Sequence, residues 1–395
     1  MKKRTVRDID VQGKRVLVRV DFNVPIDKAT RGILDDTRIA AALPTIAYLR
    51  EHQARVILVS HLGRPDGETV ESARLAPVAA RLGELLGADV VCATDVVGES
   101  ARAAVQAMRP GDVVMLENVR FEPGEEKNDE DFAKRLAAFA DIFVNDAFGT
   151  AHRAHASTAG IARYLPAVAG FLMEKEIDFL GRVVRDPQPP VAAIIGGAKI
   201  SSKISVLRHL LSKVNTLLVG GGMASTFLKA QGLDVGASLV EDDQLDTARS
   251  VLDEASRLGV TVGLPVDAVV ADRFAEDAAY RTVAVEHVPA GWMILDAGPR
   301  TVAGYSRKLS GAKTVVWNGP LGVAEWKPFA GASRELARVL AALDATVVIG
   351  GGETVALLQQ LGIADEFAHV STGGGASLEF LEGKELPGVA ALLDE

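Results

Sequence analysis

The chain lacks the features that would indicate a secreted or membrane protein. Its 395 residues include a single cysteine, Cys92, so no internal disulfide can form. No stretch approaches the ~18 uninterrupted apolar residues of a membrane-spanning helix. The basic N-terminus has no apolar run behind it, so we expect no signal peptide. These absences predict a cytoplasmic protein that has no membrane partner, with Cys92 as a buried packing residue.

Basic residues are also in deficit. The sequence has 43 Lys and Arg against 52 Asp and Glu, a formal net charge of -9. Nonspecific binding to nucleic acid requires a positive surface, so this balance argues against a nucleic-acid partner. A local group of arginines on an acidic body can still bind a small anion.

The common nucleotide and metal motifs are missing. No G-x-x-x-x-G-K-[ST] segment is present, which excludes a P-loop enzyme. No G-x-G-x-x-G follows the first predicted strand, which weakens a dinucleotide dehydrogenase interpretation. There is no H-x-E or C-x-x-C pair, and the histidines His152 and His155 have no further ligand at metal spacing, so zinc fits poorly.

Short β-branched runs alternate with helical patterns along the chain. This alternation predicts parallel βαβ units with helices on both faces of each sheet. In the first half, the predicted strands are Arg15–Val20, Arg55–Ser60, Val113–Leu116 and Ile142–Val144, and the predicted helices are Thr37–Leu49 with Asp36 as its cap, Leu75–Leu86 and Asp129–Ala140.

A break in the middle divides the chain. The amphipathic pattern Met173–Arg185 runs into Asp186-Pro187-Gln188-Pro189-Pro190, where the prolines stop a helix and stiffen the connection. We expect two Rossmann-like α/β domains, each a parallel sheet flanked by helices, joined by a hinge helix. The predicted bounds are 1–172 for the N-terminal domain, 173–190 for the hinge, 191–375 for the C-terminal domain, and 376–395 for a tail that packs back on the N-terminal domain.

In the second half, the predicted strands end in glycine. Glycine allows a positive φ and close approach to a ligand, and open parallel sheets bind ligands beyond the carboxyl ends of their strands. One glycine-rich turn alone also fits a plain tight turn, but several at neighbouring strand ends favour a nucleotide. The strands and turns are Ala192–Ile195 into Gly196-Gly197-Ala198-Lys199, Thr216–Val219 into Gly220-Gly221-Gly222, Thr314–Trp317 into Asn318-Gly319-Pro320, Thr346–Ile349 into Gly350-Gly351-Gly352, and His369–Thr372 into Gly373-Gly374-Gly375.

The sharpest of these turns carries two lysines, Lys199 and Lys203. If the chain from Ser201 onward is helical, its amides and both ammonium groups face one polyphosphate. The alternative at this point is an ordinary strand–turn–helix with solvated lysines.

Arginines follow the predicted strands of the first half. A guanidinium matches phosphate and carboxylate oxygens bidentately, and the carboxyl ends of parallel strands converge. A single arginine is more often a solvated surface residue, but these lie at strand ends or, for Arg38, at a helix start. We therefore expect an anion site, from which His152 is excluded as structural while His155 is a further candidate. Its members are Arg38, Arg64, Arg120, Arg153 and His61, with Asp21 and Asn23 after the first strand.

One half thus favours a nucleotide and the other a small anion, which indicates group transfer between two substrates. Together these stretches resemble the phosphoglycerate kinase family, in the family's order and over nearly the whole chain. The segments that carry the resemblance are Arg15–Pro25, Ser60–Pro65, Glu117–Phe121, His152–His155, Gly196–Lys203, Trp317–Pro320 and Ser371–Glu379.

The resemblance implies reversible phosphoryl transfer between 1,3-bisphosphoglycerate and ADP, giving 3-phosphoglycerate and ATP. It implies Mg²⁺ as cofactor, a monomer, closure at the hinge, and direct in-line transfer without an enzyme nucleophile.

The family pattern also implies roles for single residues. Asp21, Asn23, His61, Arg64, Arg120 and Arg153 would hold the phosphoglycerate, with Arg38 at its reacting end. Lys199 would contact the transferred phosphoryl group, Lys203 the nucleotide phosphates, and Glu325 the ribose, while Gly373 and Gly374 would open a helix towards the phosphates. The rest of the nucleotide cleft would be Gly220, Asn318, Gly350, Gly351, Gly352, Glu353 and Thr354, with Glu353 as the metal candidate.

Three positions depart from the family pattern. Glu353 stands where Asp is usual, Ser202 where Asp is frequent, and Ala324 where Phe is frequent. None belongs to the arginine group, so we expect activity to survive. A dehydrogenase would need the missing fingerprint, and a noncatalytic relative would be expected to lose Arg38 or Lys199, both of which are present.

Overall fold

The computed structural model describes residues 2–27 and 29–395, and the chain forms two compact units. The first comprises the chain up to Ile177 together with Glu385–Glu395, and the second is Asp178–Lys384. In the described ranges, no helix is both long enough and apolar enough to cross a membrane.

Unit 1 is built on a six-stranded parallel sheet in the order β3-β4-β2-β1-β5-β6 once its strands are numbered along the chain. Its strands are mostly buried and read as near-continuous apolar runs, as expected where helices cover both faces. Because β1 lies between β2 and β5, the winding reverses there, and the carboxyl ends of β1 and β5 open a crevice. The strands are β1 Arg15–Arg19, β2 Arg55–Val59, β3 Val90–Cys92, β4 Val113–Met115, β5 Ile142–Asn145 and β6 Ala167–Ala169.

Helices cover this sheet and bury one apolar face each. Val78 and Leu82 of the second helix join Ile39 and Ile46 of the first in the core. Asp129 caps the fourth helix, since its carboxylate accepts the Phe132 amide. The helices are α1 Thr37–Glu51, α2 Ala76–Leu86, α3 Glu99–Ala107 and α4 Glu130–Ala137, followed by α5 Phe171–Arg185, whose residues from Asp178 onward belong to unit 2.

Two helix starts differ from expectation. Asp36 precedes α1 but makes no capping bond, because its backbone (φ -104°, ψ 8°) is not extended; Asp35 Oδ1 accepts the Thr37 amide instead, at 2.9 Å. Helix α5 begins at Phe171 rather than Met173. Asp146 Oδ1 accepts the amides of Leu172 and Met173 at 2.9 and 3.1 Å, a contact too distant in sequence to be predicted.

Unit 2 contains a second six-stranded parallel sheet, in the order β15-β14-β13-β7-β8-β9. Its reversal point lies between β7 and β13. A separate antiparallel sheet, β11-β10-β12, was not predicted; its edge strand β11 is largely exposed and is not a buried apolar run. The strands are β7 Val191–Ile195, β8 Thr216–Val219, β9 Thr261–Gly263, β10 Asp267–Ala271, β11 Tyr280–Ala284, β12 Met293–Ala297, β13 Thr314–Asn318, β14 Thr346–Gly350 and β15 His369–Val370.

Three of the remaining helices begin at glycine-rich turns, at Gly222, Gly352 and Gly375. Helix α6 begins at Ile204, so the expectation of helix from Ser201 is wrong; Ser201 donates its amide to Glu241 Oε2 at 3.0 Å within a turn. The helices are α6 Ile204–Leu211, α7 Gly222–Ala230, α8 Leu245–Leu258, α9 Pro299–Leu309, α10 Gly331–Ala341, α11 Gly352–Leu361, α12 Gly375–Leu381 and α13 Pro387–Ala390.

The residues after 375 divide between the units. Helix α12 belongs to unit 2, whereas Glu385–Glu395 returns to unit 1. There Gly388 donates its amide to the Ala151 carbonyl at 2.8 Å, and Lys3 Nζ donates to the Leu392 carbonyl at 2.8 Å. The chain end therefore belongs to unit 1, although Leu393, Asp394 and Glu395 are exposed.

Candidate functional site

Asp21 organises the crevice of unit 1. It follows β1 at the reversal point of the sheet, where its Oδ2 accepts a hydrogen bond from Arg38 Nη1 at 3.0 Å. Its Oδ1 accepts the Asn23 amide at 3.3 Å and lies 3.8 Å from His61 Nδ1. The structure thus brings together residues from the end of β1, the end of β2 and the first turn of α1.

A buried arginine that the sequence analysis missed lies beneath these residues. Arg19, the last residue of β1, is fully buried, and its Nη2 lies 3.3 Å from His61 Nδ1. Its Nε donates to Ser157 Oγ at 2.8 Å, and Ser157 Oγ is 2.5 Å from Glu125 Oε1. The signal in the sequence was an arginine inside an otherwise apolar strand; nothing in the sequence identified Glu125 or Ser157.

The loop after β2 is fixed from two sides. Asn23 Oδ1 accepts the Gly63 amide at 2.9 Å, and Arg120 Nη1 donates to the Gly63 carbonyl at 2.8 Å. Gly63 adopts a φ of 65°, which favours glycine. The next residue, Arg64, is exposed and lines a cavity of about 300 Å³ with Asn23. Arg64 is therefore on the rim, whereas Arg120, held also by Glu126 at 3.1 Å, is buried.

Positive charge dominates this region, which we call the basic cluster: Arg19, Arg38, Arg120, Arg153 and His61. Burial, reinforced by all four guanidinium groups, holds the pKa of His61 well below its ordinary value. His155 responds in the same way, since burial and then Arg120, Arg19 and Arg153 lower its pKa to about 4. Both imidazoles are therefore neutral at neutral pH, and the cluster is suited to an anionic ligand.

At the corresponding reversal point of unit 2, the backbones of glycine-containing turns lie very close together. A side chain at Gly196 would collide with the Pro320 carbonyl, and one at Gly319 with the Gly196 backbone. Gly319 (φ 93°) and Gly221 (φ 68°) also have left-handed backbone conformations. Glycine is thus required here for packing of the turns, and the same packing leaves their amides near the strand ends.

Lys203 and Asn318 meet at this point. Lys203 Nζ donates to Asn318 Oδ1, and Asn318 is almost fully buried at the end of β13. Burial lowers the pKa of the Lys203 ammonium, while Glu353 and Glu382 oppose that shift. Thr354 Oγ1 accepts the Gly319 amide at 3.1 Å, which ties α11 to the same turn.

A cavity of about 540 Å³ opens beside this turn. It has an apolar lining with the carboxylates of Glu325 and Glu353, a composition suited to a base and a sugar. Its apolar wall was not predicted from the sequence, because Phe274 and Met293 come from the unpredicted antiparallel region and Leu239 from the loop between α7 and α8. The lining residues are Gly197, Ala198, Gly221, Gly222, Ala237, Leu239, Phe274, Met293, Ile294, Leu295, Asp296, Pro320, Leu321, Gly322, Val323, Glu325 and Glu353.

Other predicted residues lie around this cavity. Lys199 is exposed in the turn before α6 and is not part of the cavity lining. Gly220 packs its backbone against Leu321. Gly351 (φ 89°) precedes α11, whose first residues Gly352 and Glu353 are exposed, and Gly350 lies against Asn318.

The last predicted turn precedes α12. Gly374 adopts a φ of 52° directly before that helix, as a left-handed turn residue. Gly373 donates its amide to Ser371 Oγ at 3.1 Å. These two glycines therefore shape the entry to α12.

Neither unit holds a ready-made metal cage. Among residues 2–27 and 29–395, no group of three or more His, Cys, Asp and Glu side chains could hold a metal ion. Cys92 is half-buried, and burial raises the pKa of its thiol to about 11, so it is no nucleophile.

Two α/β units, one with a basic cluster and one with a glycine-walled cavity at its sheet reversal point, define a phosphotransferase of two Rossmann-like domains. The family model for phosphoglycerate kinase matches residues 6–384. The chain therefore belongs to the phosphoglycerate kinase family, and its activity is phosphoryl transfer to a carboxyl group in glycolysis.

Individual relatives agree over full length. The chain is 59% identical to the phosphoglycerate kinase of Pelotomaculum thermopropionicum and 56% identical to that of Moorella thermoacetica, each over 100% of both chains. It is 43% identical to the solved structure of phosphoglycerate kinase from Coxiella burnetii, with a TM-score of 0.89 over 98% of each chain.

Proposed function

We propose that the basic cluster binds the phosphoglycerate substrate and that the cavity of unit 2 binds ADP or ATP, with direct in-line transfer between 1,3-bisphosphoglycerate and ADP. The observation that carries this assignment is the contrast between the two reversal points. One has four guanidinium groups around a neutral imidazole, and the other has a cavity of nucleotide size beside Lys203. Phosphoryl transfer requires positioning and charge neutralisation and little covalent chemistry.

Within unit 1, Asp21, Asn23, His61, Arg64, Arg120 and Arg153 hold the phosphoglycerate in this proposal. Arg38 acts at the reacting end, which is consistent with its side chain being 40% exposed whereas that of Arg120 is 4% exposed. A partly exposed guanidinium, anchored at Asp21 by one nitrogen, retains further donors for a phosphoryl oxygen.

Within unit 2, Lys203 neutralises the nucleotide phosphates, and Glu325 accepts hydrogen bonds from the ribose. Lys199 contacts the transferred phosphoryl group, which is consistent with an exposed side chain free of the cavity wall. Asn318, Gly220, Gly350, Gly351, Gly352 and Thr354 shape the cleft, and Gly373 and Gly374 turn the start of α12 towards the phosphates.

Mg²⁺ fits the residues present only as a nucleotide-bound ion. Magnesium is commonly bound by one or two carboxylates together with substrate phosphates. Glu353 supplies such a carboxylate, since it is exposed at the start of α11 and lines the cavity. When bound, the ion would neutralise charge on the phosphate oxygens.

Transfer between the two sites requires closure at a hinge, which we place at 173–190 between domains 1–172 and 191–375. Closure also excludes water, which would otherwise hydrolyse the acyl phosphate. We further propose that the protein acts as a cytoplasmic monomer on these small molecules alone.

A crossed binding experiment tests the site assignment. Arg153→Ala should weaken the calorimetric Kd for 3-phosphoglycerate by roughly tenfold or more and leave the Kd for ADP unchanged. Lys203→Ala should weaken binding of ADP and leave the Kd for 3-phosphoglycerate unchanged. The exposed-lysine variant Lys213→Ala is the control. Weakening of both ligands by either variant would contradict the division of substrates between the units.

A further inference from the structure

The hydrogen bonds beneath the basic cluster have a defined direction. Arginine has only N–H donors, so Arg19 must donate both to Ser157 Oγ and to His61 Nδ1, at 2.8 and 3.3 Å. The single hydroxyl proton of Ser157 is then left for Glu125 Oε1 at 2.5 Å. A distance this short is typical of a hydroxyl donating to an ionised carboxylate.

Glu125 is the last acceptor in this series of hydrogen bonds. Its other oxygen, Oε2, accepts the Ser157 amide at 2.9 Å, and the side chain is fully buried. Burial raises the pKa of Glu125, whereas Arg19 and the two bonds from Ser157 lower it. Ser157 lies in a single π-helical turn, Ala156–Gly160, a backbone form frequent at functional sites.

At the other end of this series of hydrogen bonds, the bond from Arg19 determines which nitrogen of His61 carries the proton. Nδ1 receives a hydrogen bond from Arg19 and must present a lone pair, so the proton of the imidazole is on Nε2. The competing acceptor, Asp21 Oδ1, is 3.8 Å from Nδ1, beyond hydrogen-bonding distance. The charges facing His61 are Asp21 and Arg19 from the end of β1, Arg38 from α1, Arg120 from the turn after β4 and Arg153 from the turn after β5.

We propose that Glu125 and Ser157 are positioning residues, which act through Arg19 to hold His61 as a neutral imidazole with its proton on Nε2. At neutral pH, His61 then offers an anionic oxygen one fixed N–H donor. The low pKa of His61 agrees with this state. The consequence for substrate binding rests on the proposed role of His61 in holding phosphoglycerate.

The test is the ¹⁵N NMR tautomer pattern of His61, assigned among the seven histidines with His61→Gln. In the wild type, Nε2 should be protonated and Nδ1 unprotonated throughout about pH 5 to 8. Ser157→Ala should break the pattern, giving a mixture of tautomers or a titrating ring, and should raise the KM for 3-phosphoglycerate by roughly fivefold to tenfold. Ser157→Thr, which keeps the hydroxyl, should restore both.

Ser225→Ala is the matched control, because it removes a buried hydroxyl of unit 2 that has no hydrogen-bond partner among the described residues. It should change neither readout. Protonation of Nδ1 in the wild type, or an unchanged pattern in Ser157→Ala, would overturn the proposal. If the wild type shows the expected tautomer but His61→Gln leaves the KM for 3-phosphoglycerate unchanged, the proposal is supported. The binding role of His61 is then refuted.

Discussion

Arg38 Nη1 and Asp21 Oδ2 are joined by a hydrogen bond of 3.0 Å, which links the first turn of α1 to the end of β1. The side chain of Asp21 is 12% exposed and that of Arg38 is 40% exposed. Asp21 therefore orients Arg38 from the buried side while the guanidinium remains accessible to a ligand. The position of Arg38 then depends on how firmly the start of α1 is held.

A second ion pair holds that helix start. Arg81 of α2 donates from Nε and Nη2 to Asp36 Oδ2 at 2.9 and 2.8 Å, two residues before Arg38. We expect Arg81→Ala to lower kcat by roughly threefold to tenfold through misplacement of Arg38, with the KM for ATP unchanged. Steady-state kinetics beside the exposed-arginine variant Arg102→Ala checks this, and an equal loss in that control would contradict it.

Glycine at position 319 is required by both conformation and space. Gly319→Ala forces a residue with φ 93° into a left-handed conformation and against the Gly196 backbone. We expect it to destabilise the protein by roughly 2–4 kcal/mol and to weaken ADP binding. Urea unfolding should show no comparable loss for Gly311→Ala, where, apart from the two neighbouring residues in the chain, no atom of the described residues lies within 4 Å of the added Cβ.

Because of Asp296, we expect the free energy of unfolding to depend on pH with a defined sign. Its carboxylate is almost fully buried, and burial raises its pKa to about 7, from 3.8 in the unfolded chain, although the amides of Ala332 and Ala297 donate to it. The native state thus holds a proton that the unfolded state releases. Its contribution to the free energy of unfolding is present at low pH and is lost as pH rises towards about 7.

The comparison with Asp296→Asn isolates this effect. The free energy of unfolding of the variant should increase relative to the wild type as pH rises from about 4 to 7, by a few kcal/mol at most, and should then level off. Urea unfolding at a series of pH values measures the difference. A difference that does not change with pH would show that Asp296 titrates normally in the folded protein.

We expect Glu353 to affect the dependence of turnover on Mg²⁺. If Glu353 serves nucleotide-bound Mg²⁺, Glu353→Ala should raise the Mg²⁺ concentration needed for half-maximal turnover, by roughly tenfold. Glu366→Ala, another exposed glutamate of unit 2, is the control. Unchanged magnesium dependence and turnover in Glu353→Ala would exclude a role in metal binding.

The parts of the fold that follow from local periodicity could be predicted from the sequence. Strands such as Thr216–Val219 were predicted with the bounds observed, because a buried parallel strand is an apolar run ended by a turn residue. The antiparallel sheet β11-β10-β12 was missed, and its edge strand β11, which is largely exposed, lacks that signature. The apolar wall that contains Phe274 and Met293 was missed with it.

Within the candidate site, the residues at strand ends could be predicted because parallel strands bring them together. Asp21, His61 and Arg120 are examples. Arg19, Ser157 and Glu125 could not, because their relation depends on contacts across more than 30 residues that only the folded chain creates. Asp36 occupies the N-cap position of α1 as predicted, but its side chain makes no capping bond, since that bond depends on backbone angles that residue identity does not determine.

The most direct test of the central claim is coupled turnover of ATP with 3-phosphoglycerate and Mg²⁺, wild type beside Arg38→Ala. We expect a vigorous wild-type reaction and a loss in kcat of roughly 10³-fold in the variant, the scale at which an arginine stabilises a phosphoryl-transfer transition state. Wild-type protein that binds ATP without turnover, or an Arg38→Ala variant of undiminished kcat, would contradict the account.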